Sequence, residues 1–144
     1  MIRGGEDEQL IDLWHTFIRV FTEGKRKMEE AFARASIKPV EVRILYILRE
    51  EKECSLNRIA ELSNMSPAWI TDTIDTLEEK GLITKVRNRN DRRFVNVTLT
   101  EEGQSKLAEC EKIYIRFLRE ALDGLTEEEI DEFRKILEKV ERSF

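Results

Sequence analysis

Residues 55–85 read SLNRIAELSNMSPAWITDTIDTLEEKGLITK, and the reading of this stretch decides the fold. Ser55 suits the N-cap of a short helix bearing Leu56, Ile59, Ala60 and Leu62, because its hydroxyl can take a backbone N–H that the first turn leaves free. After Ser63, Asn64 and Met65, the pair Ser66-Pro67 reads as an N-cap followed by proline at the first helical position. The helix so begun places Ile70, Ile74 and Leu77 on one side, runs to Lys80 and stops at Gly81. Two short helices joined by about four residues form a helix-turn-helix pattern.

The period changes immediately afterwards. Ile83, Lys85 and Arg87 alternate with Thr84, Val86 and Asn88, and beyond the polar run RNRNDRR (87–93) the segment FVNVTL is rich in β-branched and aromatic residues. Two strands around a polar tip make a hairpin. Upstream, residues 7–35 carry Leu10, Ile11, Leu13, Trp14, Phe17, Ile18, Val20 and Phe21 at helical spacing. These cover roughly half the helix circumference, wider than one packing partner usually requires. Pro39 opens a second helix with Val40, Val42, Ile44, Leu45 and Leu48. Downstream, Thr100 can cap a long helix carrying Leu107, Cys110, Ile113, Tyr114, Phe117, Leu118 and Ala121, which Gly124 breaks. Thr126 to Glu129 form a capping box for a last helix with Ile130, Phe133, Leu137 and Val140. The predicted fold is therefore mainly α with a small β-hairpin wing, a winged helix-turn-helix flanked by N- and C-terminal helices.

A chain of 144 residues, 40% hydrophobic and 38% charged, describes one soluble domain with a real core. No apolar run is long enough to span a membrane, and MIRGGEDEQL lacks a signal-peptide core, so a cytoplasmic location is expected. Cys54 and Cys110 have no metal-ligand spacing and read as small buried hydrophobes in a reducing compartment. No nucleophile with its base and no cofactor motif is present, so neither enzymatic activity nor a cofactor is expected.

Charge decides what the hairpin is for. The net charge is −5, which argues against a general polyanion binder. Yet residues 54–99 carry seven cations against six acids, and five of the seven fall between Lys85 and Arg93. Planar cations at a narrow tip can enter a minor groove and pair with phosphates. Directly after a helix-turn-helix, Lys85, Arg87, Arg89, Asn90, Asp91, Arg92 and Arg93 read as an arm for double-stranded DNA. Asp91 is expected to pair with Arg93 and leave Arg92 pointing outward. A recognition helix reaches base edges mainly with its N-terminal residues, which nominates Ser66, Pro67, Ala68, Trp69, Thr71, Asp72 and Thr76. A second reading stays open. A winged helix can serve as a protein-interaction module without strong DNA binding, and the acids at 72, 75 and 79 favour that alternative.

The same residues resemble a family. Asp91-x-Arg93 followed by Leu99-Thr100-x-x-Gly103 is similar to the wing-to-helix signature of MarR-type (multiple antibiotic resistance) transcriptional regulators, and residues 55–85, with Leu77-Glu78-x-Lys80-Gly81-Leu82, look like that family's helix-turn-helix. The resemblance implies a homodimer, with a dimerisation helix in 1–35, the DNA-binding winged helix in 36–100 and C-terminal dimerisation helices in 101–144, in one intertwined domain. It implies a repressor on a pseudo-palindromic operator, with Asp91 and Arg93 bracing the wing while Arg92 enters the minor groove. It also implies release by a small anionic aromatic effector, for which His15, Arg43, Tyr46 and Tyr114 are candidate lining residues, packing and dimer contacts being the alternative. One departure stands out. Relatives often carry arginine where this chain has Asp72 and Thr76, so Asp72 is expected either to accept from cytosine N4 or to pair with a wing arginine.

Overall fold

The computed structural model describes residues 4–144 apart from Arg89 and Arg92. Its elements are α1 (Gly4–Ala33), α2 (Pro39–Glu51), β1 (Glu53–Ser55), α3 (Leu56–Ser63), α4 (Pro67–Glu79), β2 (Ile83–Arg87), β3 (Val95–Leu99), α5 (Glu101–Ala121) and α6 (Glu127–Glu141). The boundaries follow local chemistry. Ser55, Ser66, Thr100 and Thr126 each accept a first-turn backbone N–H with the side-chain oxygen, from Arg58, Trp69, Gly103 and Glu129. Gly81 ends α4 with φ +75°, a conformation that costs a residue without Cβ little.

The core lies within the winged helix. Ile70, Ile74 and Leu77 of α4 are fully buried, as their spacing predicts, against Val42, Ile44, Leu45 and Leu48 of α2, Ile59 of α3 and Val97 of β3. Phe32 at the end of α1 and Leu107 and Cys110 of α5 seal one side. Both cysteines are buried free thiols. Burial pushes the Cys110 thiol up to about 11 and raises that of Cys54, so neither is poised as a thiolate at neutral pH.

Two features were not expected from the sequence. The wing is a three-stranded antiparallel sheet of order β1-β3-β2 rather than a two-stranded hairpin, with Cys54 opposite Val97 on one side of β3 and Lys85 opposite it on the other. The other is the burial of Glu41, which is only 2% exposed within the apolar run of α2. Its carboxylate accepts from the Lys38 N–H at 2.9 Å and from the Lys80 ammonium at 2.9 and 3.1 Å. Lys80 also donates to the Ser36 carbonyl, so the end of α4 is tied to the turn between α1 and α2.

The flanking helices contrast with this core. Leu13, Trp14, Phe17, Val20 and Phe21 of α1 are all more than 40% exposed, and α6 has no buried residue although Phe133, Ile136, Leu137 and Val140 recur along it. The chain exposes 11168 Å², whereas a compact monomer of 17.0 kDa exposes about 7,700 Å².

Candidate nucleic-acid interface

The helix-turn-helix presents one face of α4 outward. Burial of Ile70, Thr73, Ile74 and Leu77 leaves Ser66, Pro67, Ala68, Trp69, Thr71, Asp72 and Thr76 exposed together. All the residues nominated for the recognition helix therefore share one accessible surface. Trp69 is 55% exposed, a large apolar group left in water at the start of the helix. Thr71 Oγ1 donates to the Pro67 carbonyl at 3.0 Å and Thr76 Oγ1 to the Asp72 carbonyl at 3.1 Å, so both hydroxyl protons are engaged within the helix.

The hairpin tip is held by its own side chains. Asn88 Oδ1 accepts the N–H groups of Asn90 and Asp91, a side-chain mimic of a backbone turn, and the Asn88 N–H donates to the Phe94 carbonyl at 3.1 Å. The Arg93 guanidinium makes a two-pronged contact with Asp91, Nε to Oδ1 at 3.0 Å and Nη2 to Oδ2 at 2.7 Å, while the Arg93 backbone N–H donates to the same carboxylate. This is the expected Asp91–Arg93 pair. The guanidinium holds the Asp91 carboxyl below its ordinary range, and the carboxylate in turn raises Arg93. Arg93 is 85% exposed along its side chain, so the pair adds little stability. What it does is orient. Two parallel N–H···O bonds fix the Arg93 guanidinium within the tip, which a lysine at 93 cannot do.

Charge on the wing is more restrained than the residue count suggests. Lys85, nominated for the DNA-facing edge, turns back onto α4 and pairs with Asp75, with Glu78 at 3.5 Å. The Asp75 carboxylate raises the Lys85 ammonium and keeps it a cation. Sequence reasoning missed Asp75 and Glu78 as parts of the site, because their partner lies about one turn beyond the helix on a strand. Asp72 makes no ion pair with a described residue, and the charge link between recognition helix and wing falls to Asp75 instead. Arg87 is exposed and likewise forms no ion pair with a described residue, so it is a free cation on the wing. The roles predicted for Arg89 and Arg92 lie outside the described residues.

The candidate effector residues divide. Tyr46 and Tyr114 meet with ring centroids 5.8 Å apart, Phe32 packs edge-on against Tyr114 at 4.8 Å, and the Arg43 charge acts on the Tyr114 hydroxyl. Burial raises both phenols. His15 does not join them. It sits exposed on α1, seventeen residues before Phe32, a separation of about 25 Å along a helix. Two clefts among the described residues are lined elsewhere. One of about 390 Å³ lies between Leu48, Lys52, Thr98 and Gln104, with the Arg49–Glu111 pair at its edge. A groove of about 1030 Å³ runs along α1 and α5 past Val20, Phe117 and Leu118.

A helix-turn-helix, a strand-borne arm beside it and long flanking helices together define a winged-helix protein of the kind that meets duplex DNA. The MarR family profile matches residues 37–95. Over that stretch the chain is similar to the MarR family. It is 28% identical over 124 residues to the HTH-type transcriptional repressor MdtR of Bacillus subtilis, covering 86% of this chain and 80% of that protein. The crystal structure of YusO from the same organism superposes with a TM-score of 0.74 at 27% identity, covering 96% of this chain and 98% of that one. A mutant MarR from E. coli complexed with operator DNA superposes with a TM-score of 0.81 at 22% identity, covering 92% and 95%, a likeness of fold. Among the described residues no helix is long and apolar enough to cross a membrane.

Proposed function

We propose that this chain is a homodimeric transcriptional repressor, acting in the cytoplasm, that binds a pseudo-palindromic duplex with one winged helix on each half-site. The observation that carries this reading is the shared outward face of α4, from Ser66 to Thr76, beside a wing whose tip is braced by the Asp91–Arg93 pair. On this reading α4 enters the major groove and the wing lies along the adjacent backbone and minor groove. Residues 1–35 and 101–144 form the dimer, which accounts for apolar helix faces that no described part of the same chain covers. Similarity to a named repressor and the shared fold of an operator complex support it.

The test is selection of duplexes from a random pool by the purified chain, followed by titration of the best one over a range of salt. Binding is expected to weaken linearly on logarithmic axes. Arg87→Ala, and Arg92→Ala by its sequence role, are each expected to lower that slope by about 1 per subunit for one lost phosphate contact. Arg93→Ala and Arg93→Lys are both expected to weaken binding, because neither restores the two-pronged contact with Asp91. A pool from which no duplex is enriched favours the protein-interaction alternative and ends this reading. Salt slopes unchanged in both Arg87→Ala and Arg92→Ala end the role of the wing.

A further inference from the structure

The outward face of α4 is chemically unusual for a surface that meets nucleic acid. From Pro67 to Glu79 the helix contains no lysine or arginine. The commonest base-specific contact, arginine or lysine to the O6 and N7 acceptors of guanine, is therefore unavailable to it. Lys80 does not fill the gap, since its ammonium is committed to Glu41 and the Ser36 carbonyl. The hydroxyl protons of Thr71 and Thr76 are likewise spent on the helix's own carbonyls.

Beyond the Ser66 cap, what remains outward on the first two turns is apolar, with one carboxylate, the exposed acids Glu78 and Glu79 lying at the far end of the helix. Ala68 offers a methyl group and Trp69 an indole ring that is 55% exposed. Asp72 offers acceptors only, unpaired with any described residue. A carboxylate repels the guanine acceptors and takes a hydrogen bond only from a base donor. In the major groove the one apolar group is the thymine methyl, and the donors are adenine N6 and cytosine N4. An A·T pair displays both the methyl group and the N6 donor. It is the base pair that matches the whole face.

We infer that α4 recognises A·T pairs, with Trp69 and Ala68 packed against thymine methyl groups and Asp72 accepting from adenine N6. This rests on the DNA-binding reading above and adds which bases that site selects. Division of labour follows from the charges. Phosphate attraction comes from the wing, while α4 contributes base choice and, through Asp72, resists groove positions that present guanine.

The experiment uses the full-length chain and the best duplex selected from a random pool. That duplex is made in three forms: natural, with uracil replacing every thymine, and with 7-deazaguanine replacing every guanine. Loss of a buried methyl group is expected to weaken binding about fourfold each, so the uracil form is expected to bind roughly tenfold or more weakly. The 7-deazaguanine form is expected to bind like the natural one. Trp69→Ala is expected to bind the natural duplex more weakly and to shrink the uracil penalty, which distinguishes a methyl contact from a change in DNA shape. Asp72→Ala is expected to gain affinity for a G·C-only duplex more than for the selected one. A uracil duplex bound within twofold of the natural form, a uracil penalty unchanged in Trp69→Ala, or a larger loss from 7-deazaguanine overturns the inference while leaving DNA binding intact. Failure to enrich any duplex overturns the DNA-binding reading itself, and this inference with it.

Discussion

A Gly103→Ala chain is expected to unfold at a much lower urea concentration than the natural one, with a loss of about 3 kcal/mol, the upper end of what overpacking usually costs. The reason is one close approach. A Cβ at 103 would lie 2.0 Å from the Leu82 carbonyl oxygen and 3.0 Å from its carbon. Both atoms are backbone, so no rotamer change relieves the clash. The contact is fixed from both sides. The Leu82 carbonyl accepts the Thr100 N–H at 3.1 Å, the Thr100 hydroxyl donates to the Gly81 carbonyl at 2.6 Å, and the Gly103 N–H donates to the Thr100 hydroxyl at 3.0 Å. The start of α5 is thus pinned to the turn that leads from α4 into β2. Because this junction sets where the wing stands relative to the recognition helix, the residual folded protein is also expected to bind DNA poorly. An unfolding midpoint shifted by less than the equivalent of about 0.5 kcal/mol would show that α5 can move aside.

Phe17→Glu combined with Phe21→Glu is expected to abolish the dimer. Phe17 is 42% and Phe21 63% exposed in the single chain, and both lie on the uncovered face of α1. The chain shows about 3,500 Å² more surface than a compact monomer of its mass. That excess is more than the roughly 1,000–2,500 Å² that each partner of a large obligate interface buries, enough for an extensive dimer. In a symmetric dimer each substitution occurs twice, so removing four buried rings costs on the order of 6–12 kcal/mol. That is comparable to the whole stability of about 5–15 kcal/mol that a folded domain holds. Sedimentation at micromolar concentration is expected to show monomeric or unfolded protein, and affinity for the selected duplex is expected to disappear. An unchanged dimer would place the interface on another face.

The parts of this molecule that were legible in the sequence are those set by neighbours along the chain. Ser55, Ser66, Thr100 and Thr126 cap the helices they were read as capping, because a cap needs only an N–H two or three residues ahead. Ile70, Ile74 and Leu77 announced the buried side of α4 by their spacing alone. What escaped depended on partners far along the chain. β1 is three residues long and has no alternation to read, existing as a strand because β3 offers it an edge. Glu41 sits at an apolar position because Lys80, thirty-nine residues later, meets its carboxylate. Lys85 reads as a wing cation from the sequence, but Asp75 holds it. Gly103 was visible as part of a family signature, yet the signature contains no hint of the Leu82 carbonyl that requires it. His15 shares a helix with Phe32, and helix length alone places it apart from Tyr46 and Tyr114 within one chain.

On the proposed reading, two chains together bind one duplex. The most direct measurement of this is sedimentation of the best selected duplex with increasing amounts of the natural chain, at low and at moderate salt. Saturation is expected at two chains per duplex, with a preference for that duplex over a scrambled one and affinity that falls as salt rises. Equal binding to both duplexes, or saturation at one chain per duplex with the free protein a folded monomer, would contradict it.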